Sequence, residues 1–219
     1  QESVINDIKE VFGEEVSYWI TEFQTDNQNL KGRRMHLAGK KLHSFVEEFG
    51  LLPTRSRTAK IPKKIIYCSP QEKREFLKAL FQADGCVRIR VDETRNSGDI
   101  CLTTSSPELA FEVLQLLNSI GIYARISENK DPRENRAGTK QVVIAYGSAR
   151  EQFMEQIGFI SQEKSQKLML LNQLVVNAKS IAIIREEQIV SIEKIGIRKV
   201  YDIQTESGKF LGNGIVVHN

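Results

Sequence analysis

The sequence predicts an α+β fold, in which a repeated helix–strand–strand–helix unit precedes a short all-β segment. Residues 1–51 and 105–159 both show a helix, a strand, a long polar hairpin, a second strand and a helix that ends at glycine. The closing glycines, Gly50 and Gly158, lie 158 − 50 = 108 positions apart. Residues 188–219 instead contain short apolar runs separated by glycine, which is typical of strands and turns.

Alternation of apolar and polar residues identifies the strands of the repeat. The stretches VSYWITEF, YARIS and, less strictly, VVIAY have the period of two that a strand with one buried face requires. The hairpin loops QTDNQNLKG and NKDPRENRAG are long, polar and charged. Such loops are either nucleic-acid contacts or exposed tips. The closing helices have an apolar face, so left-handed caps are expected at Gly50 and Gly158.

The second copy has a lead-in that the first lacks. A helix is predicted to begin near Ser69 and Pro70, because serine caps a helix N-terminus and proline suits its first turn. A strand then follows a sharp break at Asp84-Gly85. Applying the repeat offset to Leu77 gives 77 − 108 = −31, so the corresponding helix of the first copy falls before residue 1. We therefore expect the chain to begin within a repeat.

These patterns divide the chain into three predicted parts. Residues 1–172 form the repeat domain, whose first helix is missing, residues 173–187 are a connector, and residues 188–219 are the β segment. The last part is too short to bury a core of its own, so it is expected to need a partner.

Composition excludes several classes of protein. At 40% hydrophobic and 27% charged residues, the chain has the composition of a globular protein. No apolar run approaches the roughly 20 residues of a membrane helix, so no membrane partner is expected. No secretory signal is visible, so a cytoplasmic location is expected. The three cysteines, Cys68, Cys86 and Cys101, lack metal-like spacing and are expected to be reduced thiols.

Net charge is only +3, but one stretch concentrates it. Residues 53–64 contain five basic side chains and no acidic one: Arg55, Arg57, Lys60, Lys63 and Lys64. A cluster of this kind is either a solvated loop or a contact with phosphates.

The stretch EFLKALFQADG places a carboxylate at the end of an apolar helix. Helix C-termini favour cations, so Asp84 is unfavourable there unless a cation lies beside it. It is either a capped surface residue or a ligand for Mg²⁺, which prefers oxygen donors. The small Ala83 and Gly85 beside it allow two such helix ends to pack closely.

Residues 77–85, LKALFQADG, resemble the second motif of the LAGLIDADG homing endonucleases. The resemblance implies a pseudo-twofold αββαββ architecture with saddle-shaped sheets on double-stranded DNA, and cleavage that depends on Mg²⁺. It implies that Asp84 is one of two catalytic, metal-binding acids and that Gly85 is a metal-site residue. The other acid would lie in the missing first motif, so this chain alone is expected to cleave poorly.

The same resemblance implies roles for basic residues. Lys60 lies 84 − 60 = 24 positions before Asp84, and Lys164 lies 164 − 84 = 80 positions after it; both match active-site lysines of the family, with Lys63 and Lys167 as competitors. Such a lysine stabilises developing charge or positions water. The expected DNA contacts are Arg55, Arg57, Lys63, Lys64, Arg88, Arg90, Arg133, Arg136 and Lys140.

The stretch KVYDIQTESGKFLGNGIVVHN resembles the C-terminal blocks of inteins, whose splicing domain has an all-β Hedgehog/intein fold. The resemblance implies that the Asn219 side-chain amide attacks its own carbonyl and forms a succinimide. His218 would assist the leaving nitrogen, as imidazoles do in acid–base catalysis. Gly208 stands where many inteins carry histidine, which leaves further proton transfer to His218, Asp202 or water.

An intein also starts with Cys or Ser and a Thr-x-x-His block, whereas this sequence begins with Gln1 and contains no such block. The expected function is therefore that of the C-terminal fragment of a split or truncated intein, which acts in trans-splicing and carries a homing endonuclease domain. Its expected partners are a complementary N-terminal intein fragment, the flanking host protein and target DNA, and splicing itself needs no cofactor. The alternative is a DNA-binding or degenerate endonuclease remnant that retains only splicing.

Overall fold

The computed structural model describes residues 2–13, 16–24, 31–51, 55–129, 138–175, 189–201, 203–212 and 215–218. The chain divides into two compact units. The first comprises residues 1–54 and 62–64, and the second comprises residues 55–61 and 65–219.

The first unit is one helix–strand–strand–helix module. Its elements are α1 (Glu2–Phe12), β1 (Ser17–Gln24), β2 (Lys31–Ala38) and α2 (Lys40–Glu48). The two strands pair antiparallel, with Ser17 opposite Ala38. Phe45 of α2 contacts Phe12 and Phe49, with ring centroids 5.5 and 4.6 Å away.

The part of the second unit up to residue 175 has four antiparallel strands and a layer of helices. Its elements are α3 (Lys63–Ile66, which begins in the first unit), α4 (Pro70–Asp84), β3 (Gly85–Arg90), β4 (Ser97–Thr104), α5 (Pro107–Ser119), β5 (Arg125–Asn129), β6 (Thr139–Ile144), α6 (Gly147–Gln156) and α7 (Gln162–Leu174). The strand order is β3-β4-β6-β5. These elements confirm the predicted mixed α+β class.

The two faces of this sheet differ in chemistry. On one face, Val87, Ile100 and Val142 join the apolar core with helix residues such as Leu77 and Phe153. The opposite face carries polar side chains, among them Arg88, Asp99 and Gln141. Because successive strand residues alternate between faces, the alternating pattern of the sequence produces this separation.

The repeat predicted from the sequence recurs in the backbone. Gly13 and Gly121 end the first helix of each copy, and Gly50 and Gly158 follow the last; each pair is 108 positions apart, and all four have φ between 63° and 82°. Strands β1 and β5 begin at positions 17 and 125, and β2 and β6 at 31 and 139, with the same offset. The strand registers of the two hairpins differ. Ser17 pairs with Ala38, whereas its counterpart Arg125 pairs with Val143 and not with Tyr146, the counterpart of Ala38.

Helix α7 continues through Leu174, past the boundary predicted at residue 172. Leu168, Leu171 and Val175 are buried, so the helical apolar face extends into the predicted connector. Residues 176–188, which include most of that connector, lie outside the described residues.

In the C-terminal segment, the described residues include a hairpin formed by β7 (Lys209–Gly212) and β8 (Ile215–His218). The apolar runs before β7, which the sequence predicts as strands, do not form strands over residues 189–201 and 203–208. Their apolar side chains are exposed, as at Val190 and Ile197. A strand completes its backbone hydrogen bonds by pairing with a neighbouring strand, and no strand pairs with these runs in the described part of the chain.

Arg150 is a buried charge in the second unit, with only 1% of its surface exposed. Its guanidinium donates to the carbonyls of Gly98, Ala145 and Val175 at 2.7–3.2 Å and to Oδ1 of Asn172 at 3.1 Å. Burial lowers the pKa of Arg150, but the four hydrogen bonds compensate the charged form. Arg150 therefore joins α6, β4 and the end of α7.

Replacing Arg150 with methionine is expected to lower the free energy of unfolding by about 3–5 kcal/mol, because three carbonyls lose a charged donor. The exposed Arg95 is the control, and Arg95→Met should change that free energy by less than about 0.5 kcal/mol. Urea unfolding followed by circular dichroism measures both. Equal midpoints for the two variants would contradict the assigned role of Arg150.

Candidate functional site

Helix α4 ends with a carboxylate, that of Asp84. The helix begins with a capping box, in which the Ser69 side chain accepts from the amide of Glu72 and Glu72 accepts from Ser69. Asp84 is its last residue and is exposed, and Gly85 is buried as the first residue of β3. A Cβ atom at Gly85 would lie 2.5 Å from the carbonyl oxygen of Phe81, so only glycine permits this direct passage from helix to strand.

Lys164 supplies the cation that this helix end needs. Its Nζ donates to the carbonyl oxygens of Gln82 at 2.6 Å, Gly85 at 2.7 Å and Phe81 at 3.4 Å, and lies over the ring of Phe159. Carbonyls in the last turn of a helix lack partners within the helix, and the negative end of the macrodipole attracts cations. Lys164 thus caps α4 beside Asp84.

Gln82 makes the reciprocal contact. Its Oε1 accepts from the backbone amides of Ile160 and Ser161, both at 3.0 Å, at the start of α7. Ser161 in turn caps α7 by accepting from the amide of Lys164. Gln82 contacts a residue 78 positions away, so no local sequence pattern could have predicted this role.

The oxygen atoms at the end of α4 determine whether a metal ion could bind there. Asp84 offers an exposed carboxylate, whereas the Gly85 carbonyl already accepts from Lys164. Within the ranges that the structure describes, no group of three or more His, Cys, Asp or Glu side chains is placed to hold a metal. Mg²⁺ commonly binds through one or two carboxylates together with water and substrate phosphate. Asp84 therefore fits one ligand of such a site.

Lys60 lies in the loop before α3 and is paired with α5, not with the end of α4. Its Nζ is 2.6 Å from Oε1 of Glu108 in α5, and the hydrogen bond and charge of Glu108 raise the pKa of Lys60. The adjoining backbone is held to the same helix, since Ile61 N donates to Glu112 and Ser106 Oγ donates to Ala59 O. The structure therefore brings Lys164, but not Lys60, into contact with the end of α4.

The predicted DNA contacts are spread over several surfaces. Arg88 lies on the polar face of the sheet, where its Nε donates to Asp99 at 2.6 Å and its Nη1 to Gln141 at 3.1 Å. The hydrogen bond to Asp99 raises the pKa of Arg88. Arg90 is exposed at the far end of β3. Lys140 lies on the opposite face, paired with Glu128.

The basic stretch before α4 is mostly solvated. Arg55, Arg57 and Lys63 are exposed. In the first unit, Lys64 pairs with Glu48 at 2.6 Å and lies over the ring of Phe49. Two further predicted contacts, Arg133 and Arg136, lie outside the described residues.

The C-terminal motif is described in part. His218 ends β8, where it faces Lys209 across the hairpin, and Phe210 faces Val217. Gly208 lies in the turn before β7 with φ of 64°. Asp202 and Asn219 lie outside the described residues.

Residues 71–158 match the family of LAGLIDADG-like domains. Over these residues the chain is therefore similar to LAGLIDADG-like domains. The match begins in the first turn of α4 and ends at Gly158, so it includes the end of α4 and the complete four-stranded sheet. Among the helices that the structure describes, none has the length and apolar character needed to cross a bilayer.

Similar curated proteins differ in the activities that their names state. A DNA polymerase of a Thermococcus species is 31% identical over 191 residues, which are 84% of this chain and 10% of the polymerase. The replication factor C small subunit of Methanocaldococcus jannaschii is 24% identical, over 80% of this chain and 9% of that protein. The ribonucleoside-diphosphate reductase NrdEB subunit alpha of Bacillus subtilis is 25% identical, over 84% of this chain and 18% of that subunit.

The chain thus spans a small part of the length of these relatives. Among solved structures, the crystal structure of I-DmoI in complex with DNA and Mn aligns with a TM-score of 0.45 and 16% identity, over 71% of each chain.

Replacing Lys164 with methionine is expected to lower the free energy of unfolding by about 1–3 kcal/mol, because the carbonyls at the end of α4 lose their cationic donor. Lys167→Met, an exposed position on the same helix, is the control and should change that free energy by less than about 0.5 kcal/mol. Guanidinium unfolding measures both variants. If the two substitutions destabilise equally, Lys164 does not cap α4.

Proposed function

We propose that the chain is the C-terminal part of an intein with an embedded homing endonuclease domain. The observation that carries the proposal is the pattern of relatives. One segment recurs in a DNA polymerase, a replication factor subunit and a reductase subunit, and makes up 9–18% of each. A sequence that forms a small part of proteins with different activities has the distribution of an inserted element. Self-splicing is the chemistry that lets such an element leave its host protein intact.

The β7–β8 hairpin supports the splicing part of the proposal. It holds Val217 and His218 in a paired strand directly before Asn219. In the proposed step, the side-chain nitrogen of Asn219 attacks its own backbone carbonyl carbon. The bond to the next nitrogen breaks, that nitrogen gains a proton, and Asn219 becomes a succinimide. The imidazole of His218, the last residue of β8, serves as the acid for the leaving nitrogen.

Asn219→Ala is expected to reduce release of a C-terminal fusion to background, because the attacking amide is removed. Asn6→Ala, an exposed position on α1, is the matched control and should leave the rate unchanged. The chain is combined with an N-terminal intein fragment, and products are identified by mass spectrometry. Release by the Asn219→Ala chain at the unsubstituted rate would refute the cyclisation step.

The end of α4 supports the nuclease part of the proposal. Asp84 is exposed there, and capping by Lys164 fixes the helix end that carries it. We infer that Asp84 supplies one of two acids that bind Mg²⁺ at the scissile phosphate. A bound Mg²⁺ would polarise that phosphate and lower the pKa of an attacking water. We infer that Arg88 and Arg90, along β3 from the acid, contact the DNA backbone.

Among the described residues, none covers Phe45 of the first unit as its counterpart in the second unit is covered, which supports a complementary fragment as the partner. Phe153 of α6 is fully buried and contacts Phe81 of α4, with ring centroids 5.0 Å apart. Its counterpart at the repeat offset, Phe45 of α2, remains 36% exposed. Trp19 and Ile20 on β1 are also exposed. We propose that the fragment supplies a helix that covers Phe45 as α4 covers Phe153.

With the complementary fragment present, Asp84→Asn is expected to abolish Mg²⁺-dependent cleavage of DNA while leaving DNA binding intact. Asp92→Asn, at an exposed loop carboxylate, is the control and should cleave normally. Substrates are uninterrupted host coding sequences, with cleavage followed on gels with and without Mg²⁺. Normal cleavage by the Asp84→Asn protein would exclude this residue as a metal-binding acid.

A second candidate function is binding of DNA without cleavage, with splicing retained. It is favoured by the single carboxylate at the end of α4 and by the lack of a metal-holding cluster within the described ranges. A gel shift that persists when Mg²⁺ produces no cleavage, in the presence of the complementary fragment, would select this function.

A further inference from the structure

Two cysteines face each other beside the end of α4. Cys86 on β3 and Cys101 on β4 are directly opposite in the antiparallel register, and their Sγ atoms are 3.4 Å apart. Opposite residues in antiparallel strands have Cα atoms about 4.5 or 5.5 Å apart, and both separations lie within the roughly 4.4–6.8 Å range of disulfides. The sulfurs need to approach by only about 1.4 Å to reach the disulfide bond length of about 2.05 Å. The strand register can stay as it is.

We propose that Cys86 and Cys101 are a redox modification site, at which a low-molecular-weight disulfide such as glutathione disulfide forms a reversible cross-strand bond. Sequence spacing had predicted only three separate thiols. The pairing depends on the β3–β4 register, which brings residues 15 positions apart into contact. It depends on this fold alone, and not on the proposed splicing or nuclease activity.

Exposure sets the order of the two exchange steps. Cys86 is exposed, whereas Cys101 is 1% exposed. The Cys86 sulfur attacks one sulfur of glutathione disulfide, which forms a mixed disulfide and releases one glutathione with the proton. The Cys101 sulfur then loses its proton, attacks Cys86 Sγ and releases the second glutathione. Two protein thiols are oxidised and one glutathione disulfide is reduced to two thiols, so atoms and electrons balance.

The bond would fasten β3 to β4 one residue after Gly85, where α4 passes into the sheet. Closing a loop of about 15 residues restricts the unfolded chain, and the oxidised protein is expected to melt roughly 6–12 °C higher than the reduced protein. A reducing agent should reverse the shift. Arg88 and Asp99, the next pair on the same face, flank the site and keep their mutual hydrogen bond.

The test treats the full chain with glutathione disulfide and maps thiols by mass spectrometry of unreduced peptides. The expected product joins the peptides that contain Cys86 and Cys101, with the higher melting temperature, in both the unsubstituted and the Cys68→Ser chains. In Cys101→Ala, Cys86 should hold one glutathione as a stable mixed disulfide. Two free thiols at positions 86 and 101 in the unsubstituted chain, or a stable glutathione adduct on Cys86 there, would overturn the proposal. The unsubstituted chain decides this even if a variant fails to fold.

Discussion

The reciprocal contact between the end of α4 and the start of α7 is the constraint on which the second unit depends. Each helix end has backbone groups without partners inside its own helix, and each supplies what the other needs. Lys164 donates to the carbonyls of α4, and Gln82 accepts from the amides before α7. Because α4 passes directly into β3, this contact also fixes where the sheet begins. The position of Asp84 follows from it.

Helix α7 is held in the same way at its other end. The carbonyl of Val175, which follows the last turn, accepts from the buried guanidinium of Arg150. In both places a cation lies at a helix C-terminus, where the macrodipole favours it. The two cations differ in the free energy that their desolvation costs. Lys164 is only partly buried, whereas Arg150 is fully desolvated and therefore needs an oxygen partner for each of its nitrogens.

Local sequence patterns predicted much of the fold. Ser69 and Pro70 marked the start of α4, and the glycines at 50 and 158 marked the ends of the two copies, because caps and left-handed turns depend on adjacent residues. The strands after residue 188 were predicted from short apolar runs separated by glycine, but a strand also needs a neighbouring strand. In the described part of the chain, none pairs with the run that contains the exposed Ile197. The patterns could not show which lysine reaches the end of α4, since Lys60 and Lys164 both matched by spacing.

The roles that the sequence patterns did not predict have a common cause. The roles of Gln82, Lys164 and the Cys86–Cys101 pair depend on contacts between segments that only the folded backbone brings together. A one-residue change in the pairing of β3 with β4 would turn the two sulfurs to opposite faces of the sheet. Register and helix docking are set by core packing as a whole, so no short motif encodes them.

The matched glycines have a consequence for how the two halves of the repeat can diverge. Outside the polar hairpin, five residues are identical between the two copies at the repeat offset, and three of these are glycine, at 13, 39 and 50 in the first copy. Gly13 and Gly50, like their counterparts, adopt backbone angles that L-amino acids with a side chain adopt only at a cost. A core can pack with many combinations of apolar side chains, but few residues other than glycine adopt a left-handed backbone conformation without strain. After a duplication, identical residues are therefore expected to persist longest at the turns, where glycine has no side chain to take part in binding or catalysis.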